Sequence, residues 1–156
     1  DAMGRQKAIA AKIAAQGADY VLALKGNQST LRDDVKMFFE DTELAKTCAV
    51  RKTVSAGHGR IEERECRAAN ASWLQERHPD WQKLRTIAAA ASRRIDKKTG
   101  HAAIETRFYI TSLAANPAAI LAATRAHWGI ENNLRWRLDI TFGEDRCRTR
   151  KDFAPL

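Results

Sequence analysis

The spacing of apolar positions changes several times along the chain, and each change marks a new element. From Gly4 to Gln16, Ile9 and Ile13 stand four apart among small alanines while lysines fall on other faces. This is a helical pattern, and Gly17 is placed to stop it. The unbroken apolar run Tyr20 to Leu24 reads as a fully buried strand. A helix feeding such a strand predicts a parallel neighbour, joined by a right-handed crossover, whose C-terminal end lies at or just before Asp1. In open α/β sheets, sites are built at those strand ends. Lys25 to Gln28 form the turn out of the strand. Thr30 and Asp33 then resemble a capping box for a helix that carries Leu31, Val35, Phe38 and Phe39 inward. Asp33, Asp34, Glu40, Asp41 and Glu43 are expected on a solvated face.

From Cys48 to Ala69 two strand-like stretches flank Gly57-His58-Gly59-Arg60, a hairpin turn by composition. A second pair follows, Leu84 to Ser92 and Ile104 to Leu113, joined by the turn Asp96 to Gly100. In its second member Ile104, Thr106, Phe108 and Ile110 alternate with charged or polar neighbours. Asn116 is placed as an N-cap and Pro117 as the first residue of a helix running to about Arg125. After His127-Trp128-Gly129 a further helix is expected to about Leu138, with Ile130, Leu134 and Leu138 on one face. The expectation is a single α/β domain over residues 1–156, with a β-rich insertion at about 48–113.

Composition narrows the class of partner. With 44% hydrophobic and 29% charged residues the 156-residue chain can bury a core. Its 27 Lys+Arg against 19 Asp+Glu give a net charge of +8, which favours polyanions and points to nucleic acid. Cys48, Cys66 and Cys147 are odd in number, far apart and without zinc spacing, as expected of a reducing cytoplasm. No apolar run is long enough to span a membrane.

Two acidic residues stand out by position, and each has an ordinary reading beside the chemical one. Asp1, at the end of the expected neighbouring strand, is either a metal-binding carboxylate or a solvated terminal residue. Glu131, next to Ile130 at the edge of the apolar stripe, either reaches the core boundary or pairs with Arg135 one turn on, a contact worth a few tenths of a kcal/mol at most.

Four segments in order, Asp1-Ala-Met-Gly-Arg-Gln6, Asp19-Tyr-Val-Leu-Ala-Leu-Lys-Gly-Asn-Gln28, Gly57-His-Gly-Arg-Ile-Glu62 and His127-Trp-Gly-Ile-Glu-Asn-Asn-Leu-Arg-Trp136 with Leu138-Asp-Ile-Thr-Phe-Gly-Glu-Asp145 after it, change these odds. Together they resemble bacterial insertion-sequence transposases of the ISAs type, the group that includes H-repeat-associated proteins, over almost the whole chain. The resemblance implies a partial ribonuclease H-like (retroviral integrase-like) α/β fold, with the β-rich insertion before the Glu-bearing helix. It also implies the Asp-Asp-Glu chemistry of that superfamily, in which three carboxylates hold two metal ions. Asp1 matches the second Asp and Glu131 the Glu; the first Asp has no counterpart here, so the chain is expected to be a C-terminal piece.

Mg²⁺ (or Mn²⁺) is accordingly expected only in the complete site. Asp139 lies roughly 12 Å along a continued helix from Glu131, too far to share one metal pair. The 156 residues alone are therefore expected to be inactive. Arg5 stands where the family usually has Cys. His127 stands where related groups often have Arg, and is expected to contact phosphate more weakly or only when protonated.

The remaining candidates are DNA contacts. Lys25, Asn27 and Gln28 follow the strand beside Asp1; His58 and Arg60 belong to the matched turn; Arg146, Arg148 and Arg150, with Lys151, form a basic cluster. Each has a bland counterpart in an exposed turn or a solvated charged face. Asn132 is a candidate donor to the Glu131 carboxylate, while Trp128 and Trp136 are expected to pack. The expected partners are insertion-sequence ends and target DNA, held by a homo-oligomer at the bacterial nucleoid. The competing readings are a non-catalytic DNA-binding remnant of a decayed element and, third, a metal-dependent nuclease of the same superfamily.

Overall fold

The structure is a computed structural model and describes residues 2–26, 29–57 and 59–127, with backbone alone for 2–5. The chain divides into two compact units, Asp1–Ala122 and Ala123–Leu156. The expected helix at 130–138 lies outside the described residues.

Helix α1 spans Ala2–Ala15. It ends where Gly17 adopts φ 73°. The Gly17 amide donates to the Ala14 carbonyl (3.0 Å) and the Ala18 amide to that of Ile13 (3.1 Å), the paired bonds of a Schellman cap. No atom lies within 4 Å of a Cβ built on Gly17, so backbone sign rather than space calls for glycine.

The strand that follows is shorter than its apolar run. β1 is Val21–Ala23 and its three residues are half-buried, whereas Tyr20 and Leu24 on either side are buried. The reason is its place in the sheet, whose order is β1-β5-β4-β3-β2, with all four pairings antiparallel. Among the described residues β1 stands at an edge and pairs with β5; the expected parallel neighbour is not among them.

The other strands form the two foreseen hairpins. β2 (Ala49–Gly57) and β3 (Arg60–Asn70) are joined through His58-Gly59, and β4 (Thr86–Asp96) and β5 (Ala102–Thr111) through the Asp96 to His101 turn. The stretch expected as an insertion therefore continues the sheet that contains β1.

Register explains where the core sits. Leu22, Ile110, Ile87 and Ala69 are aligned across four strands, and one row along Ala23, Tyr109, Ala88 and Ala68 face the other way. The first row packs with Ala10 and Ile13 of α1 and with Leu31 and Val35 of α2 (Ser29–Glu40). The second packs under Ile120 and Leu121 of α5, helical over 117–127. The Asn116 side-chain oxygen caps α5 by accepting from the amides of Ala118 (3.1 Å) and Ala119 (3.2 Å).

Two short helices have no periodicity to announce them. α3 (Thr42–Lys46) starts on Asp41, whose carboxylate accepts from the Glu43 and Leu44 amides. α4 (Ser72–Arg77) lies between the hairpins and buries Leu74. It also changes the fate of one acidic residue. Asp34, expected on a solvated face, is 11% exposed and bound by His78 Nε2 (2.7 Å) and Arg77 Nη1 (3.1 Å). Those partners lie more than forty residues away in sequence, which hides the contact from any local pattern.

Two outcomes are expected. Ile87→Ala, at a fully buried site, should cost about 2–5 kcal/mol of stability, while Ile104→Ala, 71% exposed on the far half of β5, should stay within about 0.5 kcal/mol. Urea unfolding that shows equal losses would contradict this layering. Tyr20 Oη donates to the Gln82 carbonyl (2.9 Å), and burial pushes its phenol from 10.0 to about 12. A folded value above the unfolded one means that this stabilisation is complete below the unfolded pKa and is lost as pH rises toward the folded one. In a Tyr109→Phe variant, which leaves Tyr20 the sole tyrosine, phenolate absorbance should therefore appear near pH 12 together with loss of circular dichroism. Ionisation at the ordinary value with the fold intact would reject it.

Candidate functional site

Of the residues singled out from sequence, Lys25, Arg60 and His127 fall among those described, and all three are exposed. Asp1, Asn27, Gln28, His58, Glu131, Asn132, Arg146, Arg148 and Arg150 lie outside the described residues. So do Trp128 and Trp136. Among the described residues no group of three His, Cys, Asp or Glu side chains is placed to hold a metal ion. A metal reading therefore rests on Asp1 and Glu131.

Lys25 and Arg60 do not form one surface patch. Lys25 follows Leu24, whose amide donates to the Phe108 carbonyl (2.8 Å). Arg60 pairs with Asp96 beside the β4–β5 turn. The offset between those levels is roughly 20 Å along the strand direction, with three strand spacings between them as well.

The start of β1, at the end away from Lys25, is held by a small polar network. The buried Ser112 hydroxyl accepts from the Tyr20 amide (2.9 Å) and donates to the Asp19 carboxylate (2.8 Å). Thr111 Oγ1 donates to the Tyr20 carbonyl (2.5 Å). The Ser112 bond, followed by the bond and charge of Lys83, holds the Asp19 carboxyl below its usual range. These bonds fix the strand edge, and none of the groups is left over for chemistry.

What Arg60 does meet is the second hairpin tip. The Lys97 amide donates to the Gly59 carbonyl (2.9 Å), which ties the two turns together. Gly59 (φ 75°) and Gly100 (φ 69°) supply the left-handed backbone that the turns need. The Asp96 carboxylate accepts from the amides of Lys98 (2.8 Å) and Thr99 (3.0 Å). Those backbone bonds to Thr99 and Lys98, helped by the nearby Arg60 charge, hold its carboxyl below the usual range. Lys97, Lys98 and His101 are exposed here beside Arg60. Sequence reasoning missed the two lysines. Their only signal was a dibasic pair in a turn, and the register of β3 against β4 was needed to set them next to Arg60.

The sheet between tip and core is charged on both faces. Lys52–Glu65 (2.9 Å), Arg67–Glu65 (2.6 Å), Arg93–Glu63 (3.1 Å) and Arg94–Glu62 (3.4 Å) bridge its strands and positions, as does Arg64–Glu62. The Glu65 carboxyl is held low, first by its bond to Lys52 and then by Arg67. On the helix side, a cleft of about 330 Å³ is lined by Met37, Phe38, Leu44 and Trp73 with Asp34 and Arg77. Its apolar walls do not suit a phosphate backbone. No helix among the described residues is long and apolar enough to cross a membrane.

Comparison with known proteins agrees with the matched segments. The family model described as the transposase DDE domain matches residues 1–154. The chain is 43% identical over 118 positions to the "Uncharacterized protein in dhlA 3'region" of Xanthobacter autotrophicus, covering 75% of this chain and 39% of that protein. It is 35% identical over 160 positions to the "H repeat-associated putative transposase YhhI" of Escherichia coli strain K12, covering 99% of this chain and 42% of that one. The chain thus spans about two fifths of the length of these curated relatives. No solved structure matches it. Because the family match runs from Asp1 through the sheet and past Glu131, the chain belongs to the DDE transposase domain family.

Proposed function

We propose that this chain is part of the catalytic region of a DNA transposase that cuts and joins insertion-sequence ends by metal-dependent phosphoryl transfer. The observation that carries this reading is the family match over residues 1–154. The net charge of +8 fits a nucleic-acid partner. A ribonuclease H-like arrangement is part of the proposal, and it rests on the family match. Work on DNA also puts the protein at the bacterial nucleoid, and pairing of two DNA ends calls for more than one copy.

Asp1 and Glu131 are the residues that would hold the metal. Carboxylate oxygens are the hard donors Mg²⁺ prefers, and a metal pair supplies stabilisation of both the attacking and leaving oxygens of an in-line displacement. The chain's own part would be to fix those two carboxylates and to hold the strand being cut. Asn132 would donate to Glu131, and Lys25, Arg60, His127, Arg146, Arg148 and Arg150 would contact the DNA backbone. Such contacts release counterions and make affinity depend steeply on salt.

The test combines binding and cleavage by the purified 156-residue chain. Fluorescence anisotropy should show binding to duplex DNA that weakens as salt rises, and Mg²⁺ should produce no strand cleavage because two of the three carboxylates are present. Absence of binding even at low salt would sink the DNA reading. Mg²⁺-dependent nicking that Glu131→Gln abolishes would instead show that these residues complete the site unaided.

A further inference from the structure

The two hairpins extend well past the part of the sheet that the helices cover. The last fully buried residue of β3 on the way to its turn is Cys66. From there to Arg60 the strand runs roughly 20 Å, at about 3.3 Å per residue. Over this reach β2 is exposed at nearly every position, and Val54 and Ile104 are open to solvent. The sheet here is an arm whose end is formed by the two turns.

The fully exposed charges at the end of that arm are cations. Arg60, Lys97 and Lys98 are exposed, and none of them takes part in an ion pair within 4.0 Å among the described residues. The nearby acid, Asp96, is engaged by two backbone amides inside its own turn. This differs from the shaft of the arm, where Glu62, Glu63 and Glu65 neutralise the arginines and lysines around them. The cations at the tip are also pre-positioned, since the Lys97–Gly59 bond staples one turn to the other. A rigid array of cations loses little conformational freedom on binding a polyanion.

We infer that the stapled hairpin tips, through Arg60, Lys97 and Lys98, form a phosphate-binding surface for double-helical DNA. This rests on the DNA reading above and names a place for it. Guanidinium and ammonium donors bind phosphate oxygens, which positions a duplex without reading its bases. Binding there is therefore independent of sequence and sensitive to salt.

The experiment titrates labelled mixed-sequence duplex DNA with the 156-residue chain, with Arg60→Ala/Lys97→Ala/Lys98→Ala, and with the control Lys12→Ala/Lys36→Ala/Lys46→Ala, whose three lysines are exposed on α1, α2 and α3. Both triple variants remove the same charge. The tip variant is expected to lose about tenfold or more in affinity, with a log–log salt dependence shallower by about one for each phosphate no longer neutralised, while the control changes by about threefold at most. Lys97→Gln/Lys98→Gln, which leaves Arg60 beside Asp96, should show about two thirds of the change in slope with an unaltered circular dichroism spectrum. Equal affinity of tip variant and parent would overturn the tip assignment while leaving the DNA reading intact. Equal loss in the two triple variants would do the same. A parent chain that binds no duplex at all overturns both.

Discussion

Tyr109 and Ile110 are neighbours on one strand and therefore face opposite sides of the sheet, yet both are buried. A strand can do this only where both of its faces are covered, and here α1 and α2 cover one while α5 covers the other. The same constraint selects the residues around them. Ala68, Ala69, Ala88 and Ala89 supply a low floor on which helices can sit close to the backbone. Burial of this half of the sheet holds β3, β4 and β5 in register, and register in turn decides which side chains meet at the distant end. A slip of one residue would move every charged arm residue to the opposite face.

Away from the covered half, the strands are held by backbone bonds and by ion pairs that water reaches. Such pairs contribute little each, on the order of 0–1 kcal/mol. Their effect is as much on specificity: Glu62, Glu63 and Glu65 each find a basic partner in the observed register. The arm thus carries its acids where they are matched and leaves its cations for the end.

The sequence made the hairpins legible because local chemistry dictates them: glycine at the left-handed turn positions, Asp96 before its turn, and alternation in β5. Asn116 and Pro117 likewise announced α5. Three things were hidden. The shortness of β1 goes with its edge position among the described strands, which depends on strand order. α3 and α4 are too short to show a period. The binding of Asp34 by Arg77 and His78, and the meeting of Arg60 with Lys97 and Lys98, join residues far apart in the chain. For the proposed metal site the sequence says more than the described structure, since its candidates Asp1 and Glu131 come from the matched segments and lie outside the described residues. The DNA-contact candidates divide differently, with Lys25 and Arg60 placed on separate parts of one sheet.

β2 is the other edge of the sheet among the described residues, nine residues long and exposed along almost its whole length. An open edge of that kind is a template on which a second chain can add a strand. Arg51 and Lys52 stand near its middle. Antiparallel self-pairing centred between them would set Arg51 of each copy against Lys52 of the other, where like charges face one another at short range. The same basic character that fits the proposed DNA partner thus discourages its sheets from growing into one another, and it does so at the strand with least else to protect it.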